Sequence, residues 1–538
     1  MSSLARFNGG WLVRTVGLLL AVGLLLLAAA CASPAVLEAT PTPAASPAPP
    51  SAAQAPTPTA PAPPAAPTTS PPSATATAVP LRTLKTAPEI GPVGTAFTLS
   101  GDGLPTGKAV DFVWVTVEGT YRTKPSLETI EYYDRDFTAK RVSLGRATVD
   151  EQGRVTGNFS VPEDYGQVHD IFAVVDGKDA AKGGFQVVRT VTIQPLQGPV
   201  GTPITIEVKG LGWGPFENTM GVIYDNKFTG FISAVTTRGT ARAVIRAAGP
   251  VGQHEVRVTD ASAASPYLNA EQSPRKLPQF KFAFAVTKDG GAPAAAMDWP
   301  GGSPVAASTT LTRTTVSGAA PAPGVKASLS SGSGPVLSKT TLQATGVPAG
   351  ASLDVRWISV KGNRVTPSGW NLTDDVLTKV TAGQDGAVNK ELEIPDDLGG
   401  WHSVRLAQGD KVLAEVPYFV DRSLVGVTPM KVKSGETFKI QVKGIGWTEL
   451  DNGLAMTYDN AYTGYACGFN SQGDITLIIQ ADGGAGTHLI DFYPMIFKGH
   501  GEGGWNYEMP QLTALQDQPG LALGYKLPIY RLAVEVSE

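Results

Sequence analysis

The chain has 538 residues, a formal net charge of −4 and a charged fraction of 17%. This length can hold three or four domains of ordinary size, and the charge provides no basic surface for a nucleic-acid partner. The chain contains two cysteines, Cys31 and Cys467, and such a low number excludes a disulfide framework.

Residues 1–31 have the layout of a secretory signal peptide, with Arg6 and Arg14 ahead of an apolar segment and small residues before Cys31. The apolar segment is shorter than the roughly 20 residues of a membrane-spanning helix. The last four residues, AAAC, resemble a bacterial lipobox, although that family favours leucine three positions before the cysteine. The resemblance implies that Cys31 carries a lipid and anchors the protein to a membrane, facing outward. The alternative is an ordinary signal peptide in which Cys31 is incidental.

Residues 32–84 consist mainly of Pro, Ala, Thr and Ser, with almost no charge and few large apolar side chains. Such a segment cannot bury a core, so we predict that it is disordered. Its proline density favours an extended polyproline II stalk with a rise of about 3.1 Å per residue. The stalk would hold the folded part of the chain away from the membrane.

From residue 85 onward, short runs of alternating apolar and polar residues are separated by turns rich in Gly, Pro and Asp. No long segment has the helical period, so the pattern predicts an all-β chain. The regular spacing of the turns favours β-sandwiches. We divide this part into modules and a linker: module one at 85–189, module two at 190–288, a disordered linker at 289–328, module three at 329–421 and module four at 422–538.

One block of sequence occurs twice without insertion or deletion. Residues 208–230 and 442–464 align at a constant offset of 234, which relates Trp213 to Trp447. Modules one and three correspond more loosely, and module one carries about ten extra residues within 120–141. Internal repeats identify the structural unit of a chain, and here the duplicated unit is a pair of modules.

The start of module two, VTIQPLQGPVGTPITIEVKGLGW from Val191, resembles the start of an IPT/TIG-type immunoglobulin-like domain. The segment GPVGTAFTLSGDGLP from Gly91 is similar. The resemblance implies four immunoglobulin-like β-sandwich domains in a bacterial cell-surface lipoprotein. In such families these domains serve as spacers, adhesion modules or ligand-binding platforms and seldom as catalysts. Fold alone does not establish function.

The most specific repeated feature is the tripeptide Tyr-Asp-Asn. One interpretation is an aromatic and carboxamide platform that stacks on a sugar ring or grips a peptide. The other is a hairpin turn, which Asp and Asn favour, with its aromatic neighbours packed in the core. The candidate binding residues are Trp213, Tyr224, Asp225, Asn226 and Phe228 in module two and Trp447, Tyr458, Asp459, Asn460 and Tyr462 in module four.

Module four has a longer loop than module two after its last histidine-bearing segment, within residues 493–526. Long loops on a rigid scaffold often carry binding residues, so this loop, with Trp505 and Tyr507, is our first choice for a recognition surface. The second choice is the insertion of module one, with Tyr132 and Tyr133. A disordered or packing loop is the alternative interpretation.

Four histidines occupy equivalent positions in the modules: His169, His254, His402 and His488. One histidine per module does not suit a metal site, so we interpret each as a side chain hydrogen-bonded to a turn. The sequence has no Gly-x-Ser-x-Gly, HExxH or P-loop motif. We therefore expect no metal, no cofactor and no enzymatic activity.

The sequence predicts a lipid-anchored extracellular protein of the bacterial envelope that binds, adheres or scaffolds, with a cell-wall glycan or a surface protein as partner. Two pairs of modules on a flexible linker would suit a repetitive ligand, because tethering raises the effective concentration for the second contact. The alternative is a purely structural spacer or layer subunit without a soluble ligand. An enzyme with a cryptic active site is the third hypothesis.

Overall fold

The computed structural model describes residues 81–126, 129–214, 217–262, 265–274, 277–299, 320–362, 369–497 and 508–538. Within these ranges the chain forms strands and three short 3-10 turns and no α-helix, which confirms the all-β fold class. None of the described residues belongs to a helix long and apolar enough to cross a membrane. The predicted signal peptide with Cys31, and nearly all of the predicted stalk, lie outside the described residues.

Module one contains β1 (Arg82–Ala87), β2 (Ile90–Gly91), β3 (Ala96–Gly101), β4 (Ala109–Pro125), β5 (Ile130–Thr148), β6 (Val155–Ser160), β7 (Gln167–Val175) and β8 (Lys178–Val187). Module two contains β9 (Thr190–Gln194), β10 (Gln197–Gly198), β11 (Pro203–Lys209), β12 (Thr219–Tyr224), β13 (Lys227–Ser233), β14 (Ala241–Arg246), β15 (Gly252–Ser262), β16 (Ser265–Pro266) and β17 (Gln279–Val286). The short strand β18 (Ala296–Asp298) follows.

Module three contains β19 (Lys326–Leu329), β20 (Ser333–Pro335), β21 (Lys339–Thr345), β22 (Ser352–Gly362), β23 (Trp370–Thr381), β24 (Val388–Glu393), β25 (Gly400–Gln408) and β26 (Lys411–Asp421). Module four contains β27 (Ser423–Thr428), β28 (Lys431–Lys433), β29 (Thr437–Lys443), β30 (Gly453–Tyr458), β31 (Ala461–Cys467), β32 (Ile475–Gln480), β33 (Gly486–Pro494) and β34 (Ile529–Ser537). The 3-10 turns are Ala270–Gln272, Phe469–Ser471 and Pro519–Leu523.

Modules two, three and four each pack a three-stranded sheet against a larger one, with the small sheets in the orders β14-β11-β9, β19-β21-β24 and β27-β29-β32. In module one the corresponding strands β1-β3-β6 continue the larger sheet, because β1 also pairs with β8. The large sheets are built around β5-β4-β7-β8, β17-β15-β12-β13, β26-β25-β22-β23 and β34-β33-β30-β31. This arrangement of two facing sheets is the immunoglobulin-like sandwich that the sequence predicted.

Alternation along the strands places one apolar face of each sheet in the core, and a tryptophan fills the centre of modules one and three. Trp114 and Trp357 are at most 2% exposed. Their indole N–H groups donate to buried carboxylates, at 2.8 Å to Asp164 and 2.8 Å to Asp397. A buried tryptophan with a satisfied N–H is a usual feature of such sandwiches. The repetition of the pair confirms the correspondence between modules one and three.

The two modules of each pair meet through backbone hydrogen bonds. The Gly166 amide donates to the Leu211 carbonyl at 3.0 Å, and the Gly399 amide donates to the Ile445 carbonyl at 3.0 Å. A Cβ atom on Gly399 would lie 1.8 Å from the carbonyl oxygen of Gly444. Only glycine allows this approach, so the duplicated Gly-x-Gly-Trp segment is a joint between modules.

The structure corrects two predicted boundaries, the end of the disordered stalk and the start of the disordered linker. β1 begins at Arg82, inside the predicted stalk, because Leu84 is buried in the core of module one. Ala296–Asp298, inside the predicted linker, pair antiparallel with β34 of module four. Residues 296–298 of the predicted linker therefore form an edge strand, while residues 300–319 lie outside the described residues.

Candidate functional site

Both Tyr-Asp-Asn segments form tight turns between two strands of a hairpin. Asp225 and Asn226 have φ angles of 48° and 63°, and Asp459 and Asn460 have φ angles of 47° and 60°. Two successive residues with positive φ define the type I′ turn of a two-residue hairpin, for which Asp and Asn are favoured. The turn interpretation therefore accounts for the residue types at these positions.

Each turn is fixed by the histidine of its own module. The Asp459 carboxylate lies 2.6 Å from Nδ1 of His488 and accepts the Leu489 amide at 2.8 Å. Asp225 makes the same contacts with His254, at 2.5 Å, and with the Glu255 amide, at 2.9 Å. These contacts confirm that His254 and His488 bond to turns.

The tyrosines of the two segments are also satisfied within their modules. Tyr224 is 2% exposed, and its hydroxyl donates to the Ala248 carbonyl at 2.9 Å. The Tyr458 hydroxyl donates to the Asp482 carbonyl at 2.9 Å. Tyr224 and Tyr458 stack on the histidine rings, with centroids 5.5 and 5.3 Å apart. One face of each tyrosine ring is therefore covered by the histidine of its own module.

The tryptophans of the duplicated block lie at the joints between modules. Trp213 contacts His169 of module one edge to face, with ring centroids 5.1 Å apart. Trp447 contacts His402 of module three at 5.5 Å and is 2% exposed. Each tryptophan therefore packs against the preceding module of its own pair and does not extend the turn surface.

Phe228 and Tyr462, beyond the two turns, contact each other between modules two and four. Their ring centroids are 6.4 Å apart at an interplanar angle of 88°, and the Tyr462 hydroxyl donates to the Glu508 carbonyl at 2.6 Å. The structure thus brings these two candidates together, but the two rings contact each other and not an open surface. The remaining candidates, Trp505 and Tyr507, lie outside the described residues.

Residues 508–518 of the module-four loop form a strap along the edge of module two. The Phe231 amide donates to the Pro510 carbonyl at 3.0 Å, and the Leu512 amide donates to the Phe231 carbonyl at 2.9 Å. The buried Asp517 carboxylate accepts the amides of Val235 and Thr236 at 2.7 and 2.8 Å. In this part of the loop, packing accounts for the added length.

The insertion of module one lengthens the β4–β5 hairpin, and its tip reaches module four. Tyr132 is 1% exposed, and its amide donates to the Glu449 carboxylate at 2.6 Å. One apolar cluster draws buried side chains from all four modules: Ile130, Tyr132, Phe231, Phe419, Leu450, Ile496, Leu523, Tyr525 and Leu527. The insertion therefore joins the two pairs.

A buried ion cluster, which sequence reasoning missed, connects modules two and four. Asp491 lies between two guanidinium groups, 2.6 Å from Arg246 of module two and 3.1 Å from Arg531 of module four. Their side chains are at most 6% exposed. Arg531 also pairs with Asp298 of β18 at 2.9 Å. The pairs are thus held by charges as well as by a shared core, which contains Leu489 and other side chains of module four.

The sequence does contain a signal for this cluster, in the differences between the repeats. At the offset of 234, Arg246 corresponds to Gln480, and Asp491 corresponds to Arg257. Strand pairing relates Arg531 to Lys281, because Arg531 lies opposite Asp491 and Lys281 lies opposite Arg257. The charged residues of this contact are therefore not shared by the two repeats. In the described part of the chain, no group of three or more His, Cys, Asp or Glu side chains could hold a metal ion.

The histidines of modules three and four should give opposite pH dependences. The hydrogen-bonded Asp459 carboxylate raises the pKa of His488, whereas burial lowers the pKa of His402. Stabilisation from His488 is complete below about pH 6.5 and is lost as the pH rises through its raised pKa. Stabilisation from His402 is present above about pH 6.5 and is lost as the pH falls through its lowered pKa.

Thermal unfolding across the pH range checks this expectation. H488Q should flatten the alkaline decline of Tm, because glutamine cannot lose the proton that the Asp459 contact needs. H402Q should flatten the acid decline. Identical pH profiles for the two variants and the unsubstituted chain would show that neither histidine titrates with folding.

No protein-family profile matches the chain, and no curated protein matches its sequence. Among solved structures, a Salmonella alpha-2-macroglobulin mutant has a TM-score of 0.17 at 10% identity, covering 83% of this chain and 30% of that chain. Invasin, a bacterial integrin-binding protein, has a TM-score of 0.17 at 13% identity, with 80% and 79% covered. An ICAM-5 ectodomain fragment has a TM-score of 0.16 at 11% identity, with 84% and 99% covered.

This chain therefore spans less than a third of the length of the macroglobulin that it matches. Likeness at these TM-scores says nothing about what the chain binds. The class that the chain's own fold defines is a protein of four immunoglobulin-like sandwiches arranged as a duplicated pair.

Proposed function

We propose that the chain is a surface protein of the bacterial cell envelope, anchored by a lipid on Cys31, whose four immunoglobulin-like modules act as one rigid scaffold. The carrying observation is the contact between modules two and four, where Asp491 is buried between Arg246 and Arg531. This contact holds the two pairs of modules together, so they do not move independently on the linker. Tethered bivalent binding, which needs such freedom, is therefore not part of the proposal.

A scaffold of this kind uses its aromatic residues internally. Trp447, at the joint between modules three and four, and Tyr224, within module two, are each 2% exposed. A lipid anchor and an uncharged stalk ahead of module one would present the block at a fixed distance from the membrane. The proposal includes no catalytic step, metal or cofactor.

A second candidate function, adhesion to a cell-wall glycan or another surface protein, has one observation in its favour. Tyr267 and Leu268, after the short strand β16, are 41% and 75% exposed. Neighbouring exposed apolar side chains are uncommon unless they contact a partner. Loss of glycan or surface-protein capture by a Tyr267→Ser, Leu268→Ser variant would support adhesion, and unchanged capture would locate any binding elsewhere.

Two measurements test the scaffold. The Cys31→Ala variant should move from the membrane fraction to the medium, whereas equal fractionation of the two forms would contradict lipid anchoring.

Small-angle scattering from residues Ala78–Glu538, which form one compact unit, should fit a single rigid particle. Scattering that requires independently moving pairs would contradict the rigid block.

A further inference from the structure

The contact between modules two and four is heterologous: an edge of one module meets a sheet face of the other. The edge is β14, and the face consists of the outer sides of β33 and β34. Asn460 donates to the Arg246 carbonyl at 2.7 Å, and Arg531 donates to the Val244 carbonyl at 2.9 Å. The contact uses the edge of module two and the face of module four. The corresponding face of module two and the corresponding edge of module four are therefore left unused.

The matching face belongs to module two, and we call it the module-two face: Asn226, Glu255, Arg257, Lys281 and Ala283 on β15, β17 and the adjoining turn. Arg257 stands where module four has Asp491, and Lys281 stands where it has Arg531. The central charge is thus reversed. Arg257 pairs with Glu255 at 3.4 Å and donates to the Asn226 side chain at 3.0 Å, while its Nε makes no hydrogen bond.

Lys281 is exposed, and the described residues place no ion-pair partner beside it. The equivalent faces of modules one and three contain closer ion pairs. In module one, Lys182 lies 2.9 Å from Asp170, and in module three, Arg405 lies 3.0 Å from Glu415. The module-two face therefore has an excess of positive charge and suits an acidic edge strand.

The strands equivalent to β14 differ at the position of Arg246. Strand register places Ser160 there in β6, Glu393 in β24 and Gln480 in β32. Of these strands, β24 therefore offers a carboxylate where β14 offers a guanidinium. Glu393 and Glu391 are both exposed on this outermost strand of the small sheet. The edge of module three thus carries negative charge, which complements the excess positive charge of the module-two face.

We propose that β24 of one copy of the chain docks on the module-two face of a second copy, with Glu393 paired to Arg257. The pairing would be the internal Arg246–Asp491 contact with its charges exchanged. Because edge and face lie on different modules, the association is head to tail and forms a ring or an open filament. The proposal goes beyond the rigid scaffold, which requires no contact between copies.

The expected strength of this association follows from the polarity of the face. Glu255 stands where module four places the buried Leu489, so less apolar surface is buried than in the internal contact. Partly exposed ion pairs contribute little each and are screened by salt. The association should therefore be weak, visible at low ionic strength, and lost near 1 M salt, where the Debye length is about 3 Å.

Sedimentation velocity of residues Ala78–Glu538 at rising concentration tests the proposal. We expect concentration-dependent association at low salt, with R257E and E393R each weakening it tenfold or more. A chain that carries both substitutions should associate again, because its introduced carboxylate then faces the introduced guanidinium of the next copy. A merely structural effect of either substitution cannot produce this rescue.

The matched control is E151R, the same charge change at an exposed turn of module one, which should leave association unchanged. A chain that stays monomeric at low salt, or variants that associate as the unsubstituted chain does, would overturn the proposal. If R257E fails to fold, E393R alone still decides, because its side chain is exposed. Lipid anchoring and rigidity are measured separately, so the scaffold can stand when self-association fails.

Discussion

Replacing Asp491 by alanine is expected to lower the free energy of unfolding by about 3–5 kcal/mol, because it leaves two buried guanidinium groups without their shared carboxylate. The Arg246 and Arg531 side chains are 6% and 5% exposed, so water cannot replace the lost charge. Urea denaturation of residues Ala78–Glu538 measures the loss. The scattering profile should show at the same time that the two pairs separate before either pair unfolds.

A double substitution distinguishes a buried ion pair from simple packing. Replacing Arg246 by methionine together with Asp491 by leucine removes one of the two guanidinium groups and leaves Arg531 its contact with Asp298, so the double variant should be more stable than Asp491→Ala alone. Asp298→Ala is the control, since this carboxylate is 44% exposed and touches one of the two arginines. A loss below about 1 kcal/mol for Asp491→Ala would place this cluster with ordinary surface ion pairs.

Replacing Asp517 by alanine is expected to cost about 3 kcal/mol, because the buried Val235 amide and the partly buried Thr236 amide each lose their acceptor. The Tyr121 hydroxyl, which donates to the same carboxylate at 3.2 Å, loses one of its partners as well. Hydrogen exchange should therefore become faster at residues 233–236 and along β13 where the strap pairs.

The matched control is Gln516→Ala, next in sequence but exposed, which should change the free energy of unfolding by less than about 0.5 kcal/mol. Unchanged exchange in Asp517→Ala would mean that the strap is held by its apolar residues, such as Leu512, and not by this carboxylate.

The Tyr-Asp-Asn segments show where sequence reasoning succeeds and where it stops. The tripeptide predicts the same turn twice, and both turns have the same φ angles and the same histidine contact. The environments nevertheless differ. Asn460 donates to the Arg246 carbonyl of module two, whereas Asn226 accepts from Arg257 of its own module. A local motif specifies a local conformation, and its neighbours across a domain contact depend on residues elsewhere in the chain.

The two segments singled out by their extra length illustrate the same limit. Insertions on a rigid scaffold are common recognition elements, and nothing local in the sequence of residues 120–141 or 508–518 distinguishes a binding loop from a packing one. The structure places Tyr132 and Leu512 in the interior. The distinguishing fact is the apolar surface of other modules, more than a hundred residues away in sequence, that these insertions cover.

The sequence by itself determined the all-β class, the duplicated pair of modules and the hairpin turns, because strand alternation and turn chemistry depend on neighbours a few residues apart. Only the tertiary structure decided that the pairs form one block. That contact depends on charges that meet across more than two hundred residues, as Arg246 and Asp491 do. In the sequence, these charges are visible only as unexplained differences between otherwise similar repeats.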